Sequence, residues 1–325
     1  MSISQAAIQA HVSHWEGQLG QGAYPYRSAW PSRVFRHEPV QNAADILRSG
    51  VLLSRTAASE RNAISDDIAP EEIISATGRA HKYARLYFRP RNPTQYHIEG
   101  IKKPEEIYLG KHAPVLVIFV FRSSSVLSRK DVEFSDGNMQ RAGTRLFSGD
   151  DDFENLPFSD IYHEGPFPAD SRDLFIWRRC AEVLVPNELP LAGNLQSVLC
   201  RSSAERAFLL SLLGDAGEIW KARIRVFSKP GIFQSEYAYL ERVQCSSSKI
   251  EFSFHPRKDG KSVLTEIDVH NEYGTLIFRK DPISLDTAIR WYTNPEMPDG
   301  RYIVSIRLEG CMAYQAPCVI DNMPF

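Results

Sequence analysis

The 325-residue sequence predicts two cores, a mixed α and β core in the amino-terminal half and an all-β core after it. Three observations carry this. The length exceeds that of a usual single domain. Val115 to Phe121 is an unbroken apolar run suited to a central strand. Beyond Trp220 the pattern changes to short alternating segments separated by turn residues.

In chain order, Met1 to Leu19 is polar and lacks the basic-then-apolar pattern of a secretory signal, so residues 1–31 are expected to form a leader and the protein to be cytoplasmic. Asn42 to Gly50 reads as a short helix with Ala43, Ile46 and Leu47 on one face and Gly50 as its left-handed stop. Val51 to Leu53 leads out, and Ser54 to Glu72 is polar and loop-like. Ala84 to Phe88 suits a strand closed by the Pro90 to Pro93 turn. Phe134 to Asp173 has little periodicity, as expected of a long functional loop. Phe175 to Trp177 and Glu182 to Val185 have strand character, and Leu195 to Leu213 reads as helix with its connection. The boundary between the two cores falls at about residue 217.

Seven candidate strands follow: Ala222 to Phe227, Lys249 to Phe254, Val263 to Val269, Thr275 to Arg279, Ile289 to Tyr292, Arg301 to Leu308 and Ala313 to Val319. With turns at Asp259-Gly260, Tyr273-Gly274 and Asp299-Gly300, residues 218–325 suggest a sandwich of immunoglobulin or fibronectin type.

Composition narrows the function. A hydrophobic content of 43% beside 24% charged residues is that of a globular protein, and no run is long enough to span a bilayer, so no membrane partner is expected. The five cysteines are scattered without a Cys-x-x-Cys pair and the nine histidines lack ligand spacing, so neither a disulfide framework nor a metal is expected. A net charge of -2 argues against a protein that coats DNA, but not against a local groove. Between His81 and Arg91, cations interleave with Tyr83, Tyr87 and Phe88, a mixture suited to single-stranded nucleic acid or to an edge strand with solvated charges.

Two segments set charge among apolar residues: Tyr87-Phe88-Arg89-Pro90-Arg91-Asn92-Pro93-Thr94-Gln95-Tyr96 and Arg178-Arg179-Cys180-Ala181-Glu182-Val183-Leu184-Val185. On a strand, Glu182 faces away from Ala181 and Val183, towards solvent or a cleft. Arg91, between two prolines, equally suits a turn.

The first segment resembles the Tyr-Phe-x-Pro-Arg-(Ser/Asn)-Pro-x-x-Tyr motif of the DarT toxins, and the second their Arg-Arg-x-Ala-Glu-x-Leu-Val motif. Asn42 to Ser54 and Phe134-Ser135-Asp136-Gly137-Asn138 resemble two further stretches of that family, in the same order. The likeness runs from Ser32 to about Asp215. It implies an α+β ADP-ribosyltransferase fold over residues 32–217, a split mixed β-sheet with NAD in its cleft and a substrate loop from Phe134 to Arg179. It also implies NAD as substrate, single-stranded DNA as acceptor, and a DarG-like macrodomain antitoxin as partner in a toxin-antitoxin system.

Carried over by motif, Glu182 is the catalytic glutamate and Arg91 the arginine beside NAD and the acceptor base. Arg36 stands where many relatives have a histidine on the nicotinamide ribose, with His37 next to it and Glu38 in place of a threonine. Arg36, His37, Asn42, Leu53, Ser54, Tyr87 and Arg91 are therefore the expected NAD contacts, and Asn138, Arg89, Tyr96, Arg172 and Arg178 the expected DNA contacts. The chemistry suits a carboxylate: cleaving nicotinamide from ribose develops oxocarbenium-like charge, as in glycoside hydrolysis. Two alternatives stay open, transfer to a protein, RNA or nucleotide, and a noncatalytic binding module.

Overall fold

The computed structural model describes residues 2–63, 78–110 and 112–321. The part of the expected polar loop that falls within 64–77 lies outside the described residues. The amino-terminal part is built on an eight-stranded mixed sheet: β1 (Arg33–Pro39), β3 (Tyr83–Tyr87), β4 (Leu116–Arg122), β5 (Glu133–Ser135), β6 (Leu146–Phe147), β7 (Glu182–Pro186), β9 (Leu195–Cys200) and β10 (Ile224–Val226). Their order is β10-β9-β4-β1-β3-β7-β5-β6, while β2 (Val51–Leu53) and β8 (Glu188–Pro190) form a separate antiparallel pair. β10 runs parallel to β9, and β1, β3, β4, β5 and β7 pair antiparallel with their neighbours.

The sheet is split in its middle. β1 pairs with β4 along its whole length and β3 pairs with β7 along its whole length, but β1 meets β3 only at Phe35 and Tyr87. From that point the two halves diverge, leaving the side chains that follow Phe35 on β1 to face those that precede Tyr87 on β3. β4 is the central strand the sequence predicts: Leu116 to Phe121 are buried, between β9 and β1.

Helix α1 (Gln5–Gly20) replaces the expected leader. The Ser4 hydroxyl caps it by accepting from the Ala7 amide at 3.1 Å, and Ile3, Ala7, Ile8 and Leu19 are buried. His11 packs on Phe158 with ring centroids 4.1 Å apart and hydrogen-bonds the Tyr162 hydroxyl. A sparse apolar pattern among polar residues hid this face. Helix α2 (Val40–Ser49) buries Ala43 and Leu47 and ends at Gly50, whose φ of 70° lies in the left-handed region that its glycine tolerates.

Three other expectations are corrected. Phe175 to Trp177 belong to a helix, Arg172–Arg178, because so short an apolar run has no period that distinguishes helix from strand. Leu195–Cys200 is β9, and the helix begins at Ser203, where the Ser202 side chain caps it. The Ala222 to Phe227 run forms β10 at the edge of the first sheet instead of opening the second core. Phe134 to Asp173 is also less irregular than its composition suggests, holding β5, β6 and two short helices, Asp150–Glu154 and Phe158–Ile161.

The remaining chain adds β11 (Tyr239–Ser246), β12 (Lys249–His255), β13 (Val263–Asn271), β14 (Leu276–Leu285), β15 (Arg290–Thr293), β16 (Gly300–Leu308) and β17 (Cys311–Ile320). They form a three-stranded sheet, β11-β12-β15, and a four-stranded sheet, β14-β13-β16-β17. β11 was not anticipated, since Glu241 and Arg242 interrupt its alternation. The Ser203–Leu213 helix packs against β17 and β11, and the buried apolar residues run continuously from Ile3 to Ile320. Among the described residues no helix is long and apolar enough to cross a membrane.

Candidate active site

A cavity of about 300 Å³ opens where β1 and β3 diverge, roofed by α2 and β2. On β3 the period-two pattern sorts the side chains: Tyr83, Arg85 and Tyr87 line the cavity, whereas Ala84, Leu86 and Phe88 are buried in the core. β1 contributes Arg36, His37 and Glu38. Arg36 pairs with Glu38, Nε to Oε1 at 2.7 Å, and donates from Nη1 to the Arg85 carbonyl oxygen at 3.3 Å, bridging the split. Asn42 donates to the other Glu38 oxygen at 3.4 Å.

The His37 ring is stacked on Tyr87, centroids 5.1 Å apart and planes within 9°. Burial, with Arg36 and Arg85 nearby, lowers its pKa to about 3, so the imidazole is neutral at physiological pH. Burial also raises the Tyr87 hydroxyl to about 12, which keeps it a neutral hydrogen-bonding group.

Glu182 opens β7 opposite Tyr87 and has no exposed surface. The Arg85 guanidinium grips its carboxylate with both prongs of the fork, Nη2 to Oε1 at 2.6 Å and Nε to Oε2. The Met139 amide donates to Oε1 at 3.2 Å. Glu182's own amide donates at 3.1 Å to the Ser135 hydroxyl, which donates to the Gly137 carbonyl oxygen. A side chain at position 137 would collide with Trp177, because a Cβ there would lie 2.1 Å from its Nε1. Glycine thus lets the Ser135 to Gln140 segment close over Glu182.

The family model for DarT, described as ssDNA thymidine ADP-ribosyltransferase, matches residues 35–233. The chain belongs to the DarT family. Its amino-terminal part is a DarT-like ADP-ribosyltransferase fold, and the family is one of enzymes that ADP-ribosylate thymidine in single-stranded DNA. The solved structures similar to this chain include DarT of Thermus sp. 2.9 in complex with ADP-ribosylated ssDNA, at 20% identity and TM-score 0.48, covering 61% of this chain and 95% of that one. The same Thermus sp. 2.9 DarT in complex with NAD+ matches at 19% identity and TM-score 0.46, covering 61% and 96%. No curated protein sequence matches the chain.

Of the DarT residues expected from sequence, the fold gathers Arg36, His37, Asn42, Leu53, Tyr87 and Asn138 around the one cavity, with Glu182 beneath Arg85. Ser54 is buried and caps the short helix Arg55–Glu60 by accepting from the Ala57 amide. Arg91 lies outside the cavity lining. It sits at φ 56°, with Nη1 donating to the Phe233 carbonyl oxygen at 2.6 Å and Nε 3.4 Å from Glu164. Its motif is a capped turn: Asn92 accepts from the Gln95 amide, Pro93 starts the helix Pro93–Ile98, and Gln95 accepts from the Arg91 amide.

The expected DNA contacts divide. Arg89 is 1% exposed, stacked on Trp30 and bonded to Glu164 and the His163 carbonyl oxygen, so its charge serves the interior. Arg178 donates to the Asp136 carbonyl oxygen at 2.7 Å, whereas Arg172 and Tyr96 are exposed away from the cavity lining. Arg85 is the site residue that sequence reading passed over. Its place between Tyr83 and Tyr87 in the strand alternation was the available signal.

Proposed function

We propose that this cavity holds NAD with its nicotinamide ribose over Glu182, and that Glu182 is the catalytic carboxylate for transfer to thymidine. The observation that carries the reading is a fully buried carboxylate held by Arg85, which lines the cavity together with Arg36, His37, Tyr87 and Asn138, in a chain of the DarT family. As the C1'–N bond to nicotinamide breaks, the leaving ring takes the bonding electron pair and the ribose becomes oxocarbenium-like. A carboxylate bonded to the ribose hydroxyls stabilises that charge where it develops. Thymine N3, the ring nitrogen that carries a proton, then attacks C1' as nicotinamide departs, and the N3 proton passes to solvent water.

In this reading Arg36 and Asn42 hold the ribose and phosphates, and the neutral His37 and Tyr87 offer a flat face and a hydrogen-bonding edge. Asn138 meets the base edge. Arg91 reaches NAD phosphate or the DNA strand after exchanging Glu164 and the Phe233 carbonyl oxygen for ligand, a role its fixed fork suits better than proton abstraction. Arg172 and Tyr96, being exposed, are available to the flanking strand.

The toxin reading belongs here too. Loading of ADP-ribose onto DNA would stop replication, and a DarG-like macrodomain that hydrolyses the adduct is the partner this chemistry calls for. We further read residues 234–321 as an immunoglobulin or fibronectin-like sandwich tied to the catalytic part. Its support is the two antiparallel sheets and the ion pair of Arg257 with Glu106, Nη2 to Oε1 at 2.6 Å.

The deciding experiment incubates the protein with NAD and single-stranded oligonucleotides with and without thymidine, beside duplex DNA and RNA, and weighs the products. Mass gain of one ADP-ribose on thymidine-containing single strands alone is the expected result. NAD consumption with no gain on any nucleic acid would move the acceptor to a protein or small molecule.

A further inference from the structure

Arg91 stands just before the helix Pro93–Ile98, whose Thr94 and Ile98 line the cavity. Its backbone is left-handed, φ 56°, a conformation that a residue with a long side chain keeps only where its surroundings impose it. The imposing group is Gln95. Its Oε1 accepts from the Arg91 amide at 2.7 Å, and its Nε2 donates to Glu99 Oε2 and to the Ile232 carbonyl oxygen, both at 2.8 Å. Gln95 has no exposed surface, and its carbonyl and both of its N–H groups are engaged, so these partners admit one orientation of the amide.

Glu99, one helical turn after Gln95 and buried, fixes the other end. Its carboxylate accepts from the Gln234 amide at 3.0 Å and from the Ser235 amide at 2.9 Å. Between Ile232 and Gln234, the Phe233 carbonyl oxygen takes Arg91 Nη1. The contacts close a ring: Arg91 backbone to Gln95, Gln95 to Glu99, Glu99 to the Ile232 to Ser235 strap, and the strap back to the Arg91 guanidinium. The strap continues into Tyr237, whose ring centre lies 5.0 Å from Lys102 Nζ and 5.2 Å from the Arg257 guanidinium, and then into β11. Arg91 is thus held twice, and only the guanidinium contacts, Phe233 and Glu164, stand where a ligand could replace them.

We propose that Gln95 is a positioning residue for Arg91. Seated on Glu99 and the strap, it keeps the Arg91 backbone in its left-handed turn while the guanidinium exchanges Glu164 and the Phe233 carbonyl oxygen for a phosphate of NAD or of the DNA strand. A backbone set in advance confines the change on binding to side-chain torsions, which lowers the ordering cost and keeps the guanidinium within reach of its target. Glu99 acts through Gln95, and the strap makes the carboxy-terminal sandwich part of the same support. The role of Arg91 proposed for this site is the premise.

The test is a double-mutant cycle in the full chain. Gln95→Met keeps length and volume and removes all three side-chain hydrogen bonds; it is made in wild type and in Arg91→Ala. Each protein is read by melting temperature, by single-turnover transfer to a thymidine-containing single strand with enzyme in excess, and by calorimetric titration with NAD and with the oligonucleotide. In the wild-type background Gln95→Met should slow transfer by roughly tenfold to a hundredfold, the cost of a misplaced group remote from the bond that breaks. The affinity that falls with it, for NAD or for the oligonucleotide, names the phosphate that Arg91 meets. In the Arg91→Ala background Gln95→Met should still lower the melting temperature yet leave transfer and both affinities within about twofold of Arg91→Ala alone. Should Gln95→Met not fold, Glu99→Gln, which leaves Gln95 Nε2 facing a second amide, repeats the cycle with the same expectation. Equal losses of transfer in the two backgrounds, or full transfer in the folded single variant, would overturn the positioning role. Wild-type transfer in Arg91→Ala would overturn the reading of Arg91 itself, and this inference with it.

Discussion

Arg85 Nη2 lies 2.6 Å from Glu182 Oε1, and its Nε bonds the other carboxylate oxygen, so an arginine on β3 holds the candidate catalytic carboxylate by both oxygens. The pair is almost wholly enclosed, with side chains 18% and 0% exposed. Arg85 aims the carboxylate and, in the proposed binding mode, competes with ribose hydroxyls for it. Arg85→Ala leaves a buried carboxylate unmatched, which typically costs about 3–5 kcal/mol of stability. Arg85→Lys keeps the charge but not the fork. The expected result is a kcat loss in Arg85→Lys with a smaller change in KM for NAD, measured by initial rates. An unchanged kcat in a folded Arg85→Lys variant would remove Arg85 from the positioning of Glu182.

Glu182→Gln keeps shape and removes charge. Transfer should fall by about a hundredfold to a thousandfold, the usual consequence of deleting a positioned electrostatic group. The measurement is single-turnover transfer at saturating NAD, which separates chemistry from binding; wild-type rates in Glu182→Gln would take the carboxylate out of the mechanism.

Arg89 was expected on the DNA path and lies in the interior instead, between Trp30 and Glu164. Arg89→Ala should therefore lower the melting temperature and leave the salt dependence of DNA binding unaltered, because that slope counts cations on phosphates. A slope reduced by about one in a folded variant would return Arg89 to the interface.

Burial lowers His11 and His37 to about 3, against 6.5 when solvated. Below pH 6.5 the unfolded chain takes up protons that the folded chain refuses until about pH 3. Each histidine thus makes stability fall with acid across that window, by up to about 1.4 kcal/mol per pH unit, and contributes no slope above it. Urea unfolding from pH 7 to pH 4 should be steeper in wild type than in His11→Phe, whose ring suits the Phe153 and Phe158 contacts. Equal slopes would place the acid sensitivity elsewhere.

The segment after β10 braces the Arg91 motif. Ile232 and Phe233 carbonyl oxygens accept from Gln95 and Arg91, and the amides of Gln234 and Ser235 donate to the buried Glu99. A chain ending at Trp220 loses this brace and β10 together. It should unfold at lower temperature and transfer ADP-ribose far more slowly than the full chain, as calorimetry and initial rates would report. Full activity in that fragment would show that the first sheet stands without β10.

The sequence alone determined what is local or motif-bound. Apolar period marked β4 as central and α2 as half-buried, and the ordered Asn42, Arg91, Asn138 and Glu182 motifs pointed to the family that residues 35–233 match. Where a segment was short, composition could not choose its state, as with Phe175 to Trp177 and the strand at Leu195. Tertiary structure decided everything that depends on a distant partner: that β10 joins the first sheet beside β9, that α1 lies against Phe158, and that Arg89 is enclosed while Arg91 is latched to Phe233. The pairing of Arg85 with Glu182 spans 97 positions of sequence. It follows from the register of β3 against β7, which puts Tyr87 opposite Glu182 and Arg85 two residues along the same face. Register is fixed by how whole strands bury their apolar sides, so the contact becomes visible only once both halves of the sheet are assembled.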